Sequence, residues 1–273
     1  MLRKSTILSV FILFAILLAG CAENRTARPE LESSRERVAE FPVARVYTKA
    51  VSDAMGKTVY AYVRSSQEID IFVDGQRVNS LGGLGFERGN FQRLSDIGVD
   101  ADGGLLALDS ARKLLRKFSP EGMFISEFSL KSLSQPELFC AAPDGTLFVY
   151  DAAPSEIICY SPLDGREFNR FGRFELDQPQ NLDCNKDYLW AQNRDRESTQ
   201  VFSLLGQLEY SAKVFRALDR VGNMISYGRV EGVSNVLQNP LSLTVQGDLV
   251  TVLWENEIWM DRLVYGRRGG ETQ

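Results

Sequence analysis

The stretch that decides the fold is DIGVDADGGLLALDSARKLLRKFSPEG, residues 96–122. Short apolar segments alternate in it with turns that contain Asp and Gly, which suit tight reversals between antiparallel strands. The same arrangement returns in residues 138–165 and in residues 180–206. Equivalent positions are 42 residues apart: Phe118, Tyr160 and Phe202; Leu106, Phe148 and Trp190; and Asp109, Asp151 and Asn193. The chain therefore contains an internal repeat.

The length of the repeat predicts the architecture. Four strands in about 42 residues correspond to one blade of a β-propeller. Weaker copies occupy residues 57–83 and 241–266, and residues 212–240 fit a shortened blade. Six blades fit if the last is completed by an N-terminal strand such as residues 44–50, and five blades are the alternative. The predicted fold class is all-β, a propeller of four-stranded blades without exposed edge strands.

Residues 82–128 resemble an NHL-type repeat. They contain a Gly-rich loop, a Phe, an Asp-Gly turn, an Asp after the second strand and an aromatic residue before the next Gly. The resemblance weakens in the next two copies and is poor after Gly206. It departs at Asn193, where the pattern has Asp, and near Leu94, where a proline is missing. It implies a propeller, often a binding platform, and no single activity.

Composition excludes several functional classes. Of 273 residues, 44% are hydrophobic and 25% are charged, as in soluble globular proteins. With 31 Lys and Arg against 36 Asp and Glu, the net charge is −5, so no basic excess indicates nucleic acid. The chain has no His, which excludes Ser-His-Asp and Cys-His catalysis and HExxH metal sites.

The first twenty residues are predicted to be a signal peptide. Arg3 and Lys4 precede an apolar run from Ile7 to Leu18. This run is shorter than the about 20 residues needed to span a bilayer. Residues 18–21, LAGC, resemble the lipobox of bacterial lipoproteins. The resemblance implies cleavage before Cys21 and acylation of that residue; the alternative is a secretory signal in which this cysteine is incidental.

The predicted organisation is a lipoprotein signal peptide at 1–20, a lipidated polar tether at 21–40, a propeller at 41–268 and a tail at 269–273. Residues 22–40 carry nine charges, so they bury too little apolar surface to offset their ordering entropy. A short helix over residues 29–40 is an alternative. Acyl chains give firm membrane attachment and a place in the cell envelope. Ala22, where inner-membrane lipoproteins resembling this one have Asp, favours the outer membrane in a Gram-negative source.

Two groups of carboxylates invite metal-site hypotheses. Asp96, Asp100 and Asp102 precede Gly103, but the spacing lacks the Glu of a calcium-binding EF-hand loop, and a β-turn is favoured. The repeated Asp109, Asp151 and Asn193 could ring a metal, as in propeller lactonases. Repetition in each blade instead favours hydrogen bonds to nearby backbone. No metal ligand, catalytic residue or cofactor is therefore assigned.

Cys140, Cys159 and Cys184 remain once Cys21 is assigned to lipidation. Cys140 and Cys184 are predicted on innermost strands of adjacent blades, where they could pair in an oxidising periplasm. Three buried thiols are the favoured interpretation.

One predicted loop is longer than its counterparts. Residues 193–199 join the second and third strands of a blade, and four successive charged residues lie in this loop: Arg194, Asp195, Arg196 and Glu197. Loops on one face of a scaffold commonly carry binding, and alternating charge suits specific recognition. We expect these four residues to contribute to partner binding; a solvated turn is the alternative.

The predicted function is that of a non-catalytic, lipid-anchored envelope propeller that binds or organises envelope proteins, with no cofactor and no nucleic acid. One alternative is a propeller enzyme of lactonase or lyase type with a metal held by carboxylates and amides. Unlike Glu, Asn and Asp side chains that point from inner strands into one channel mouth would favour it. Another is a glycan-binding module that uses exposed aromatic residues such as Trp254 and Trp259.

Replacing Cys21 by Ala tests the lipid anchor. The variant is expected to remain an unlipidated precursor, because no other residue supplies the lipobox thiol. Cys159→Ala is the matched control and is expected to be processed normally. Mass spectrometry of the mature protein checks this, and an N-terminus at any residue other than Cys21 in the wild type would contradict the assignment.

Overall fold

A computed structural model describes residues 31–193, 198–213, 217–220, 222–225, 227, 229–231, 236–238 and 240–267. Residues 34–264 form one compact unit, the propeller. A second unit contributes residues 31–33 and 265–267 to this description, at the ends of the first and last strands. Within the described ranges, no helix is long and apolar enough to cross a membrane.

The strands follow one another along the chain, and the first is β1 (Leu31–Pro42). Blade 1 contains β2 (Lys49–Ser52), β3 (Thr58–Val63), β4 (Glu68–Val73) and β5 (Gln76–Gly82). Blade 2 contains β6 (Leu94–Val99), β7 (Leu105–Asp109), β8 (Leu114–Phe118) and β9 (Phe124–Ser129). Blade 3 contains β10 (Pro136–Ala141), β11 (Leu147–Asp151), β12 (Glu156–Tyr160) and β13 (Glu167–Phe171). Blade 4 contains β14 (Asn181–Cys184), β15 (Tyr188–Gln192), β16 (Ser198–Ser203) and β17 (Leu208–Lys213).

The remaining strands lie between residues 217 and 267. Two short antiparallel pairs come first: β18 (Ala217–Leu218) with β19 (Met224–Ile225), and β20 (Arg229–Glu231) with β21 (Val236–Gln238). Blade 5 then contains β22 (Ser242–Gln246), β23 (Leu249–Leu253) and β24 (Glu257–Arg267), with β1 paired beside β24. The described residues thus form five four-stranded blades, the lower of the two predicted numbers.

Blade 5 closes the ring with a strand from the N-terminal side, but not with the one predicted. The closing strand is β1 and not residues 44–50, while Lys49–Ser52 is the innermost strand of blade 1. The prediction of a tether over residues 21–40, or of a helix over 29–40, is therefore wrong for residues 31–40. An outermost strand needs backbone pairing and little apolar surface, so its composition resembles that of a polar tether.

Polar side chains hold the seam between blades 5 and 1. Ser52 Oγ and Thr251 Oγ1 share a hydrogen bond of 2.7 Å. The backbone N–H of Ala50 donates to Ser242 Oγ at 3.1 Å, and Thr244 Oγ1 donates to the Ala50 carbonyl at 3.0 Å. These buried groups satisfy one another, as polar groups removed from water must.

Glycine permits the turn between the first and second strands of the repeated blades. Gly103 has φ of 81° and Gly145 has φ of 87°, the left-handed region that side-chain-bearing residues rarely adopt. The N–H of Gly103 donates to the carbonyl of Asp100 at 3.1 Å, and that of Gly145 donates to the carbonyl of Ala142 at 2.8 Å. The predicted Asp-Gly turns are therefore present.

Aromatic side chains pack between neighbouring blades at the positions that the repeat singled out. Phe118, Tyr160 and Phe202 are all buried, and each pairs across the sheet with a Leu: Leu105, Leu147 and Leu189. The Tyr160 ring lies 5.3 Å from that of Phe128, and the Phe202 ring lies 5.2 Å from that of Phe171. In both pairs the partner comes from the outermost strand of the preceding blade. The 42-residue period is therefore the period of blade packing.

Replacing Phe118 by Ala tests this packing. The side chain is 1% exposed, and its ring lies 6.2 Å from Phe91 and 6.0 Å from Phe124. We expect the free energy of unfolding to fall by about 3–5 kcal/mol, the usual loss for a buried Phe. Urea denaturation measures it, with Phe86→Ala as control because Phe86 is 85% exposed. Equal, small losses in the two variants would contradict the packing.

Candidate functional site at the channel mouth

The innermost strands of the five blades surround a channel, and the N-terminal ends of these strands line a cavity of about 690 Å³. Each blade contributes a side chain of a different kind: Lys49, Asp96, Glu137, Asn181 and Ser242. Neutral hydrogen-bonding groups complete the wall, among them Thr48, Gln67, Gln180 and Gln192. The cavity has the size of a small-molecule site, and its polar groups come from all five blades.

Lys49 and Asp96 form an ion pair at this opening. The ammonium Nζ lies 2.7 Å from Asp96 Oδ1, and the two side chains are 12% and 2% exposed. Asp96 also accepts the backbone N–H groups of Ile97 at 2.9 Å and Phe139 at 3.0 Å. Burial raises the pKa of Asp96, while Lys49 and these N–H groups act in the opposite direction. One carboxylate thus connects the inner strands of blades 1, 2 and 3.

Asp183 occupies a comparable place further along the channel. A second, narrower cavity of about 30 Å³ follows along the same strands, and both Lys49 and Asp183 line it. The Asp183 carboxylate accepts the N–H of Cys184 at 2.9 Å and that of Val245, in blade 5, at 3.1 Å. Burial raises its pKa to about 6, against the lowering effects of Lys49 and the two N–H groups. Asp183 can therefore exchange a proton near neutral pH.

The three cysteines of the propeller are buried and free of disulfides. Cys140 and Cys184 lie on the innermost strands of adjacent blades, where each thiol affects the pKa of the other. Burial raises the pKa of both thiols, and raises that of Cys159 to about 12. The favoured interpretation of three buried thiols is confirmed, and they are poor nucleophiles because they stay protonated.

Gln192 is the last residue of β15, and its side chain lies at the edge of the cavity. It is 2% exposed, yet its Nε2 has no hydrogen-bond partner within the described part of the chain. Nearby, Gln67 has φ of 60° and its side-chain oxygen accepts the N–H of Leu94. The guanidinium groups of Arg64 and Arg93 complete this rim and are exposed.

The Asp and Asn residues that recur in each copy of the repeat hydrogen-bond to the loop backbone and do not line the channel. Asp109 accepts the N–H groups of Gln92 at 3.0 Å and Arg93 at 3.2 Å. Asp151 accepts the N–H of Ser134 at 2.7 Å. Asn193 continues the pattern, since its Oδ1 accepts the N–H of Asp177 at 3.1 Å. These contacts confirm the structural interpretation of the repeated Asp and Asn residues.

The calcium-loop hypothesis does not match the geometry. Asp100 Oδ1 accepts the N–H groups of Asp102 and Gly104, both at 2.9 Å, as in a turn. Asp96 instead contacts Lys49 in the channel. Among the described residues, no group of three or more carboxylate or thiol side chains could hold a metal ion.

The glycan alternative relied on exposed tryptophans. Trp254 is buried, and its ring lies 5.1 Å from that of Trp259. The guanidinium of Arg37 covers Trp259 at 4.1 Å from the ring centroid. These two rings therefore do not form an open stacking surface.

The other predicted site residues fall outside the described ranges. Cys21 lies before residue 31, and the four charged loop residues, Arg194, Asp195, Arg196 and Glu197, lie between residues 193 and 198. Lipidation and partner binding by these residues stay predictions.

Sequence reasoning missed Lys49 and Asp183, and it read Asp96 as part of a turn. A signal was present. Each is a charged residue on an innermost strand, and Asp96 and Asp183 depart from the repeat. By strand pairing, Asp96 corresponds to Leu138 in blade 3, and Asp183 corresponds to Cys140 in the same blade.

Comparison with known proteins supports the fold. No protein-family model and no curated protein matches the chain. Among solved structures, it is similar to one described as streptogramin B lyase, with a TM-score of 0.55 and 13% identity, over 85% of this chain and 98% of that one. At this identity the likeness shows the fold alone. The chain is a β-propeller of four-stranded blades.

The prediction that the chain is not an enzyme is corrected by this comparison. The same propeller fold serves a lyase in the matched structure, so the fold gives no reason to exclude catalysis. The geometry agrees, since Asp96, Glu137 and Asn181 line one channel mouth, which is the arrangement named above as favouring an enzyme. The repeated carboxylates, on which that prediction rested, do not line the channel.

The raised pKa of Asp183 predicts a specific pH dependence of stability. The folded protein holds this proton up to about pH 6, whereas an unfolded chain releases it near pH 4. Stability from the protonated group is present below pH 4 and lost as pH rises through 6, by about 1–3 kcal/mol. Relative to Asp183→Asn, the wild type should lose that amount between pH 3.5 and pH 7.

Urea denaturation at the two pH values measures this difference. Asp102→Asn is the control, since the Asp102 side chain is exposed. An identical pH dependence in the wild type and in Asp183→Asn would show that the buried carboxyl titrates normally.

Proposed function

We propose that the chain is a small-molecule-binding propeller of the cell envelope, which takes a polar organic ligand at the mouth of its central channel. The observation that carries this proposal is the convergence of unlike polar side chains from the inner strands of all five blades on one cavity. A purely structural channel would be filled by apolar side chains, because buried polar groups are costly unless they are paired. Binding sites place a few polar groups in a preformed cavity in this way.

Blocking the cavity tests the proposal. Gln180 is exposed at the cavity wall, so Gln180→Trp is expected to fill the opening without disturbing a strand. Gln207→Trp is the matched control, because Gln207 is exposed in a turn at the other end of the blade 4 strands. The probes are D-glucose, N-acetylglucosamine, D-glucuronate, D-gluconate and glycine.

The measurement is calorimetric titration of the full-length protein in detergent. At least one probe is expected to bind the wild type and the control saturably, and to lose that binding in Gln180→Trp. If every probe fails to bind, or if the two Trp variants behave alike, the channel mouth is not a small-molecule site.

A second candidate is an enzyme that works by proton transfer in the same channel. Asp183 favours it, because a carboxyl group with a pKa of about 6 can act as an acid or a base near neutral pH. Lys49 lines the same narrow cavity and would stabilise negative charge that develops on a substrate. Nuclear magnetic resonance of each bound probe would reveal turnover, and turnover should disappear in Asp183→Asn while binding persists.

The setting of this propeller is also a proposal. The lipobox-like LAGC sequence supports lipidation at Cys21 and an envelope location, with the outer membrane favoured for a Gram-negative source. The proposed relation to NHL-type repeats is supported by the sequence of residues 82–128. Envelope protein partners are proposed to contact the charged loop, residues 194–197, whose replacement by four Ser residues should weaken partner capture without lowering the melting temperature.

A further inference from the structure

We infer that the channel mouth selects a small hydroxylated molecule that carries a carboxylate, such as a hydroxy acid or a sugar acid, and that Lys49 receives the carboxylate. This inference rests on the proposed binding function and specifies the chemistry of the ligand. The cavity offers unpaired hydrogen-bond donors, while its two carboxylates, Asp96 and Glu137, already accept hydrogen bonds from the protein.

The ammonium group of Lys49 has hydrogen-bond donors that the described protein residues do not use. An ammonium group carries three N–H donors. Within the described part of the chain, the ammonium group of Lys49 makes one hydrogen bond, to Asp96 Oδ1. The remaining donors lie where the two cavities meet, since Lys49 lines both. A ligand oxygen at this point would complete the coordination of the ammonium group, and a charged oxygen would do so most strongly.

Gln192 supplies a second unpaired donor. Its buried amide Nε2 has no partner among the described residues, although it lines the cavity. A buried donor without an acceptor is unfavourable, so such a group in a binding cavity indicates a ligand that brings the acceptor. Because Lys49 and Gln192 lie on different blades, one molecule that satisfies both must present at least two acceptor groups.

The two carboxylates of the wide cavity already accept hydrogen bonds from the protein. Asp96 receives three donors: Lys49 and the N–H groups of Ile97 and Phe139. Glu137 accepts the side-chain amide of Gln135. These carboxylates are therefore less available to a ligand that is rich in donors, such as an amine, than they would be without these contacts.

The charges that line the wide cavity also favour an anionic ligand. Three cationic side chains line the cavity, Lys49, Arg64 and Arg93, against the two carboxylates Asp96 and Glu137. This local positive excess occurs in a chain of net charge −5, so it is not a consequence of overall composition. Asp183 lies in the narrower cavity, where the N–H groups of Cys184 and Val245 hold it. An anion is therefore expected to bind in the wide cavity and not in the narrow one.

The experiment compares D-glucuronate with D-glucuronamide, which differ in charge and scarcely in shape. In calorimetric titrations of the full-length protein, the carboxylate is expected to bind at least about tenfold more tightly, as charged hydrogen bonds exceed neutral ones by about 1.4 kcal/mol. Lys49→Met should weaken D-glucuronate binding by about the same factor, and Lys49→Arg should restore most of it. Lys57→Met is the control, since Lys57 is exposed in a turn outside the cavity.

Gln192→Leu provides a second variant, because removal of Lys49 leaves Asp96 unpaired and could prevent folding. This variant keeps the ion pair, and it is expected to weaken both probes because their hydroxyl groups lose a donor. Equal affinity for D-glucuronate and D-glucuronamide, or D-glucuronate binding unchanged in Lys49→Met or in Gln192→Leu, would overturn the inference. Binding of D-glucose alone would overturn it while the proposed function stands, whereas the absence of any binding would remove both.

Discussion

The ion pair between Lys49 and Asp96 is the interaction on which the organisation of this propeller depends. It joins the innermost strands of blades 1 and 2, and Asp96 reaches a third blade through the N–H of Phe139. Asp183 does the same for blades 4 and 5 by accepting the N–H of Val245. Two carboxylates and one ammonium group therefore contact the inner strands of all five blades. The outer strands pack around this ring with the aromatic residues of the repeat.

A ring of buried charges is not the most stabilising arrangement for the centre of a propeller. Removing paired charges from water costs several kcal/mol per ion, and apolar replacements of similar volume are often as stable. Removing one partner of a buried ion pair is far more destabilising than replacing both partners by apolar residues, because the remaining charge stays buried without a partner. Charges in the channel are therefore consistent with a functional channel, and the unpaired donors of Lys49 and Gln192 support the proposal that it recognises a ligand.

The sequence was sufficient for the repeated features and insufficient for the exceptions. The 42-residue period predicted the blades, the inter-blade positions of Phe118 and Tyr160, and the loop contacts of Asp109, because each copy supports the others. The closing strand β1 was missed because an outermost strand has the polar composition of a tether. Lys49, Asp96 and Asp183 were not predicted as a group, because a repeat identifies equivalent positions and not which unlike residues meet in the folded chain. Which inner-strand positions face the channel also depends on irregular pairing between Leu94 and Asp96, which the sequence does not display.

A double-mutant cycle measures directly how strongly Lys49 and Asp96 depend on each other for stability. Lys49→Met, Asp96→Asn and the double variant would be compared with the wild type by urea denaturation at pH 7. We expect each single change to be strongly destabilising and the double change to cost much less than their sum. The coupling should be at least about 1.5 kcal/mol, as for close buried charge pairs. A coupling near zero would show that Lys49 and Asp96 act independently, and would contradict the claim that their contact organises the ring.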